Sequence, residues 1–462
     1  MNRDIVIKEV VFMSEIKPNY DKLGSWACYA NDIMVEYAQC IDEGLDVEKY
    51  KDVFEAVSKL ENSEIKKNFA DVIQQIVRTA KLRDDYKYNE PSDLDEIKAL
   101  RKEHKFKENP LDKNTLKSKI HGAWTGRVCG CLLGKPLEGI RTDELEPLLK
   151  ESGNSPMHRY VLSTDITDDM HGRFRFGLRD KAYADTVDGM PVDDDTNYVV
   201  LAQKIIDDYG RDFTPLDVSE AWIKYQPIDA YFTAERVAFL NFTRGFEPPF
   251  SAVNENPYRE WIGAQIRGDY FGYINPGKPE IAADMAFRDA SISHIKNGIY
   301  GEMFAAAMIS CAAVTDSIED IILGGLAQIP STSRLFEAVM SVLDGYKNGV
   351  SQAECFKRIH TLFDEYTGHG WCHTISNAMI VAAALVYGRG DFGKSVCMAV
   401  ETGFDTDCNG ATVGSVLGMR NGIEAIGKEW TKPVNDKIHT SIFGVGTVKV
   451  SEMAEATLKH IK

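Results

Sequence analysis

The sequence predicts an all-α protein, and three observations carry that reading. Apolar residues in the first quarter of the chain recur at steps of three and four amid many charges, the period of one helix face. Two later segments carry glycine at every fourth position, again a helical repeat. Continuous β-branched runs of the kind a parallel sheet requires are missing. The 462 residues, 44% hydrophobic and 27% charged, have the composition of an ordinary globular chain and exclude general disorder. Lys+Arg 53 against Asp+Glu 70 gives a net charge of −17, which argues against sequence-independent nucleic-acid binding because that requires basic surface. A phosphorylated substrate would need a cation to approach so acidic a protein.

Charges at Arg3, Asp4, Lys8 and Glu9 interrupt any apolar run well short of a signal peptide. The longest apolar stretches, Met303 to Thr315 and Thr374 to Tyr387, fall below the ~20 residues of a membrane span and read as buried core helices. No membrane association is therefore expected. Nine cysteines, with no Cys-x-x-Cys pair, predict free thiols in a reducing, cytoplasmic compartment and exclude zinc ribbons.

Residues 1–115 form an N-terminal helical extension. Helices are expected within Trp26–Glu43, Val47–Leu60, Ser63–Leu82 and Asp93–His104. Ile65, Phe69, Val72, Ile73, Ile76 and Val77 step by three and four along one helix face. No catalytic cluster is evident, so a role in packing or association is expected, and 107–114 reads as a linker. The second unit, 116–462, has a different texture, with small-residue helices separated by acidic loops.

Its first helix carries Gly122, Gly126, Gly130 and Gly134, and a late one carries Gly410, Gly414 and Gly418. Each glycine costs a helix about 1 kcal/mol relative to alanine, so the stripes need a reason. Close packing of the two helices on each other supplies it and would draw the acidic loops at their ends together. Arg127, Lys135 and Asn409 argue against a membrane-dimer stripe.

Those loops carry the chemistry. Asp193, Asp194 and Asp195 open an apolar-periodic helix. One aspartate suits a helix N-terminus, but three exceed what a cap uses. Asp405 and Asp407 precede the second glycine helix. In an extended segment they would point the same way about 6.6 Å apart, a span that suits two cations. Hard oxygen donors select Mg²⁺, with Mn²⁺ or Ca²⁺ as alternatives, over zinc. A third patch, Asp165 to Asp169, reads as a solvated loop.

These segments resemble the ADP-ribosylglycohydrolase family, of the type that includes the dinitrogenase-reductase-activating glycohydrolase. The resemblance runs over about residues 118–435 and implies an all-α bundle with a two-metal site, Mg²⁺ being the expected ion. It rests on Leu133-Gly134 through Glu138, on Asp193-Asp194-Asp195-Thr196, and on Glu401 through Cys408 with the glycine helix that follows. By the resemblance, Asp194, Asp195, Asp405 and Asp407 are metal ligands, and Asp193 and Cys408 stand at ligand positions where the family has threonines. Glu138 and Asp195 are the implied catalytic carboxylates. Ser293-His294 resembles the family's Thr-His pair, and Trp261-Ile-Gly263-Ala-Gln265-Ile-Arg267 stands for its diphosphate-cradling loop, which makes Gly263 and His294 the implied substrate contacts. The loop has lost a glycine and gained bulk, which hinders backbone approach to a phosphate. The implied reaction is metal-dependent hydrolysis of an N- or O-ribosyl bond, releasing ADP-ribose from an ADP-ribosylated side chain or small molecule. Two alternatives stand beside it: the same fold acting on a glycoside without a diphosphate, and a catalytically silent binding relative.

Overall fold

A computed structural model of the chain describes residues 18–462, so the charged start read above lies outside the described residues. Among them are 22 α-helices and a single two-stranded antiparallel ribbon, Lys437–His439 with Thr447–Lys449. The protein is all-α. No helix among the described residues is long and apolar enough to cross a membrane. The nine cysteines are free, and all but Cys28 are buried.

The two glycine helices, Lys113–Gly134 and Thr406–Asn421, form the centre. They run antiparallel with backbone against backbone. Gly122 faces Gly418, Gly126 faces Gly414, and Gly130 faces Gly410, and a methyl group on any of them would overlap the partner's carbonyl. Gly134 meets the Thr406–Asp407 turn in the same way, where the Thr406 hydroxyl donates to the Gly134 carbonyl at 3.0 Å. The antiparallel register therefore sets the C-terminal end of the first helix against the N-terminus of the second. The expected apolar core helices, Lys296–Ala312 and Thr374–Gly388, pack around this pair and are buried on nearly every face.

The N-terminal segment contributes helices Ile33–Asp42, Lys51–Ser58 and Glu64–Thr79 around a small core of its own, with Ile33, Phe54, Val57 and Ile73, while its Leu94–Ala99 helix packs Leu94 and Ile97 on the main core. The apolar face that runs from Ile65 to Val77 is only partly covered. The Glu64–Thr79 helix buries Lys66, Ala70 and Ile73, whereas Ile65, Phe69 and Val72 are at least half exposed. The small core offers room for one narrow stripe, and the broader apolar face points outward. The patch from Asp165 is also more ordered than a loop. Asp165 pairs with Arg159 at 2.6 Å, and Asp168–Arg173 is a short helix.

Charges join this segment to the rest. Arg259 is buried between Glu36 at 2.8 Å and Glu43 at 2.6 Å, the Gln39 side-chain amide donates to Glu260 at 2.6 Å, and Arg334 bridges Glu90 and Glu260. Residues 259–260 lead directly into the loop at 261–267, so the extension clamps the stem of that loop.

Candidate active site

Three acidic segments converge where the glycine helices meet. Asp193 caps the Asp194–Tyr209 helix, its Oδ1 accepting from the Asp195 backbone N–H at 2.9 Å. Asp195 is fully buried and is held by Arg127 of the first glycine helix. That guanidinium donates to Asp195 Oδ1 at 2.9 Å and to the Asp195 carbonyl at 2.8 Å, and its other arm reaches Asp269. Asp405 stands at the N-cap of the second glycine helix, but its carboxylate caps nothing. The chain reaches it through Gly403 at φ +77° and Phe404 at φ +58°, the latter a left-handed conformation that a bulky residue adopts at a cost of about 1–3 kcal/mol. Full burial of Phe404, with its ring 4.8 Å from that of His360, holds the turn.

The extended spacing expected for Asp405 and Asp407 is not what forms. The helix begins at Thr406, so Asp407 lies inside its first turn. The carboxylates nevertheless converge. Donor atoms of Asp195, Asp407 and Cys408 lie within 4.8 Å of one another, as do those of Cys131, Asp193 and Asp195. Glu138 stands at the rim, its side chain 41% exposed and 3.1 Å from the Lys135 ammonium. Lys135 also meets Asp193 at 2.7 Å and Asp407 at 3.7 Å.

Burial first, and mutual repulsion with it, pushes Asp194, Asp195 and Asp407 well above the usual carboxylate range, and Asp405 up to about 6. Asp195 Oδ2 and Asp407 Oδ1 are buried without any hydrogen-bond partner. Partnerless buried carboxylate oxygens are costly alone, and a bound cation relieves both the desolvation and the repulsion. The donor set fits a hard divalent ion such as Mg²⁺ or Mn²⁺. The Cys408 thiol is pushed up by burial and by these aspartates, and an un-ionised thiol contributes little to such an ion.

A further group, Asp42, His369 and His373, has metal-like spacing but the wrong protonation. His369 Nδ1 accepts from the Trp261 indole N–H, and His373 Nδ1 accepts from the Ile375 backbone N–H. Each Nε2 therefore carries the proton, and a metal-bound imidazole needs the reverse. The group ties the N-terminal segment to the loop at 261–267.

That loop is braced from several sides, with the Ile262 N–H donating to the Cys372 carbonyl at 2.8 Å. Gly263 is partly exposed and lies against the Glu235 carboxylate so closely that a side chain there would overlap it. Glu235 is buried, paired with Arg267 at 2.9 Å, and pushed up to about 7 by burial. His294 has no exposed surface. Its Nδ1 is 2.8 Å from the Ser293 hydroxyl, and burial followed by the nearby Arg267 drives its pKa well down. His294 therefore lies behind the loop in this structure, with no atom at the surface.

Sequence reasoning missed four cations here. Arg127 and Lys135 were visible only as charges out of place in a glycine stripe. Arg141, stacked on Trp371 at 5.0 Å, and Lys181, over Phe176 at 4.2 Å, flank the acidic mouth with no motif to mark them. Their pKa values are lowered by burial, and Asp405 acts on Arg141 and Glu138 on Lys181 in the opposite sense.

Fold and matched region together define a glycohydrolase-type protein. Residues 112–460 match the ADP-ribosylglycohydrolase family, three quarters of the chain, and the protein belongs to that family. The match begins at Asp112, the N-cap of the first glycine helix, and leaves the N-terminal segment outside. A solved structure of an ADP-ribosylglycohydrolase-related protein complex is similar over 75% of this chain and 98% of that one, with 16% identity and a TM-score of 0.46. No curated protein matches.

Proposed function

We propose that this protein is a divalent-metal-dependent hydrolase that cleaves an N- or O-ribosyl glycosidic bond and releases ADP-ribose from an ADP-ribosylated side chain or small molecule. The observation that carries the reading is the pair of partnerless, buried carboxylate oxygens on Asp195 and Asp407 at the junction of the two glycine helices. Asp194, Asp195, Asp405 and Asp407 would hold the ion. When bound, it supplies Lewis-acid orientation of ribose hydroxyls and a lowered pKa for water.

The chain's own groups do the rest. Breaking the bond at C1 of the ribose builds positive oxocarbenium character, and the ring of carboxylates at the mouth stabilises it. Glu138 is the one acidic side chain of the cluster at the rim with substantial exposure, and it is placed to take a proton from water or deliver one to the leaving group. Arg127 fixes the rotamer of Asp195, so that its free oxygen stays aimed at the junction.

A second reading has an observation of its own. Glu235 sets a carboxylate against Gly263, in the loop that would cradle a diphosphate. An anion there favours a ribosyl or sugar glycoside without phosphates. Calorimetry with ADP-ribose separates the two. Binding at micromolar strength, about −8 kcal/mol, that depends on Mg²⁺ or Mn²⁺ and vanishes with chelator supports release of ADP-ribose. Heat from the metal alone moves the substrate search to phosphate-free glycosides.

A further inference from the structure

Lys135 occupies an unusual position for a lysine. It follows the last glycine of the first helix and precedes Pro136, and its side chain folds back into the acidic junction rather than out to solvent. The ammonium is 2.7 Å from Asp193, 3.1 Å from Glu138 and 3.7 Å from Asp407, so it touches carboxylates from three separate segments at once. A lysine ammonium is a compact point charge with three donors, the side chain that most closely imitates a small cation.

The two halves of the junction differ in what is left unmet. On the Lys135 side, both oxygens of Asp193 are met, although Oδ2 makes no hydrogen bond and is met by the ammonium charge alone. Its Oδ1 accepts from the Asp195 N–H at 2.9 Å and from the Cys131 thiol at 3.3 Å, and its Oδ2 faces the ammonium. On the other side, Asp195 Oδ2 and Asp407 Oδ1 have no partner, with Asp405 and Cys408 beside them. One half already holds a positive charge bonded to the chain, and the other is built for one that is not. A divalent ion placed on Asp193 would have to displace the ammonium or endure its repulsion at contact distance.

We infer that this chain binds one divalent ion, on the side of Asp195, Asp405 and Asp407 with the neighbouring Asp194, and that the Lys135 ammonium stands in for a second ion on the Asp193 side. The inference rests on the metal-dependent reading given above and revises the two-ion expectation drawn from sequence resemblance.

The test counts Mn²⁺ on chelator-stripped, full-length protein by equilibrium dialysis with elemental analysis, and reads its electron paramagnetic resonance. Wild type should hold about one Mn²⁺ per chain with the six-line signal of an isolated ion. Lys135→Ala and Lys135→Met should hold about two, with that signal broadened by coupling between neighbouring ions. Lys135→Arg, which keeps the charge, should stay at about one. Circular dichroism of each variant identifies any that fails to fold, and the wild-type count stands without them. Two coupled ions in wild type overturn the proposal while leaving the metal-dependent reading intact. One ion in wild type and in both neutral variants also overturns it, because the lysine is then not what excludes the second. No ion in any of the proteins overturns the metal-dependent reading, and the proposal with it.

Discussion

Two seams hold this molecule together, and they are built in opposite ways. The glycine helices meet backbone to backbone, with no side chain between Gly130 and Gly410 or between Gly126 and Gly414. The N-terminal segment meets the body through buried charge, with Arg259 between Glu36 and Glu43 and Arg334 between Glu90 and Glu260. The first seam depends on shape and tolerates no added atom. The second depends on pairing and tolerates change only when both partners change. Function follows the same division. The shape seam positions the acidic junction, and the charge seam braces the stem of the neighbouring loop.

The largest effect should come from breaking the shape seam. Gly130→Leu or Gly414→Val forces side-chain atoms into a facing carbonyl that cannot relax without separating the helices. The expected outcome is loss of more than about 3 kcal/mol or no soluble protein, read by circular dichroism and thermal melting. Gly172→Ala, where nothing lies within 4 Å, should melt like wild type. Breaking the charge seam should cost less. Arg259→Met leaves Glu36 buried without its ion-pair partner and Glu43 with Lys296 alone, at 2.7 Å, and should lower stability by about 3–5 kcal/mol in denaturant unfolding. Adding Glu36→Gln, which removes the unpaired charge while Glu43 keeps Lys296, should recover much of that loss, and failure to recover would show that the seam is held by packing rather than pairing.

Smaller in stability, but decisive for activity, is Glu138→Ala. Its exposed position predicts a melting temperature close to wild type, retained metal affinity, and a fall in kcat of about 10²–10⁴-fold. The smallest effect concerns Glu235. Burial raises its pKa to about 7, so it is neutral below that pH and anionic above it. ADP-ribose binding should therefore weaken as pH rises through about 7, and Glu235→Gln should flatten that profile. A steep profile retained in the variant would free Glu235 of any part in phosphate discrimination.

The shape seam was legible in the sequence because its signal is local. Glycine every fourth residue is a face of a helix whatever lies around it, and two such faces imply each other. The acidic triplet at Asp193 to Asp195 and the pair Asp405 and Asp407 were legible for the same reason. Their geometry was only half so. The strained Gly403-Phe404 turn starts the helix at Thr406, and spacing along an extended segment could not anticipate that. The charge seam was not legible at all. Glu36, Glu43, Arg259 and Arg334 follow no period, and their pairing exists only in the folded chain. Lys135 was hidden likewise, since its three carboxylates come from separate parts of the sequence. The exposed Ile65, Phe69 and Val72 mark the opposite limit, where a clear apolar period exceeded the core available to cover it.

The central claim is that the acidic junction is a cation site built by the glycine seam, and Asp407→Asn tests it most directly. Burial holds the Asp407 pKa well above its ordinary value, so above that range its charge costs the metal-free fold stability, and an isosteric amide removes the cost. Calorimetric titration with Mn²⁺, paired with thermal melting in chelator, reads both consequences. The account predicts micromolar Mn²⁺ binding in wild type, none in Asp407→Asn, and a chelator melting temperature in the variant equal to or above that of wild type. Unchanged Mn²⁺ affinity in both Asp407→Asn and Asp405→Asn would contradict it.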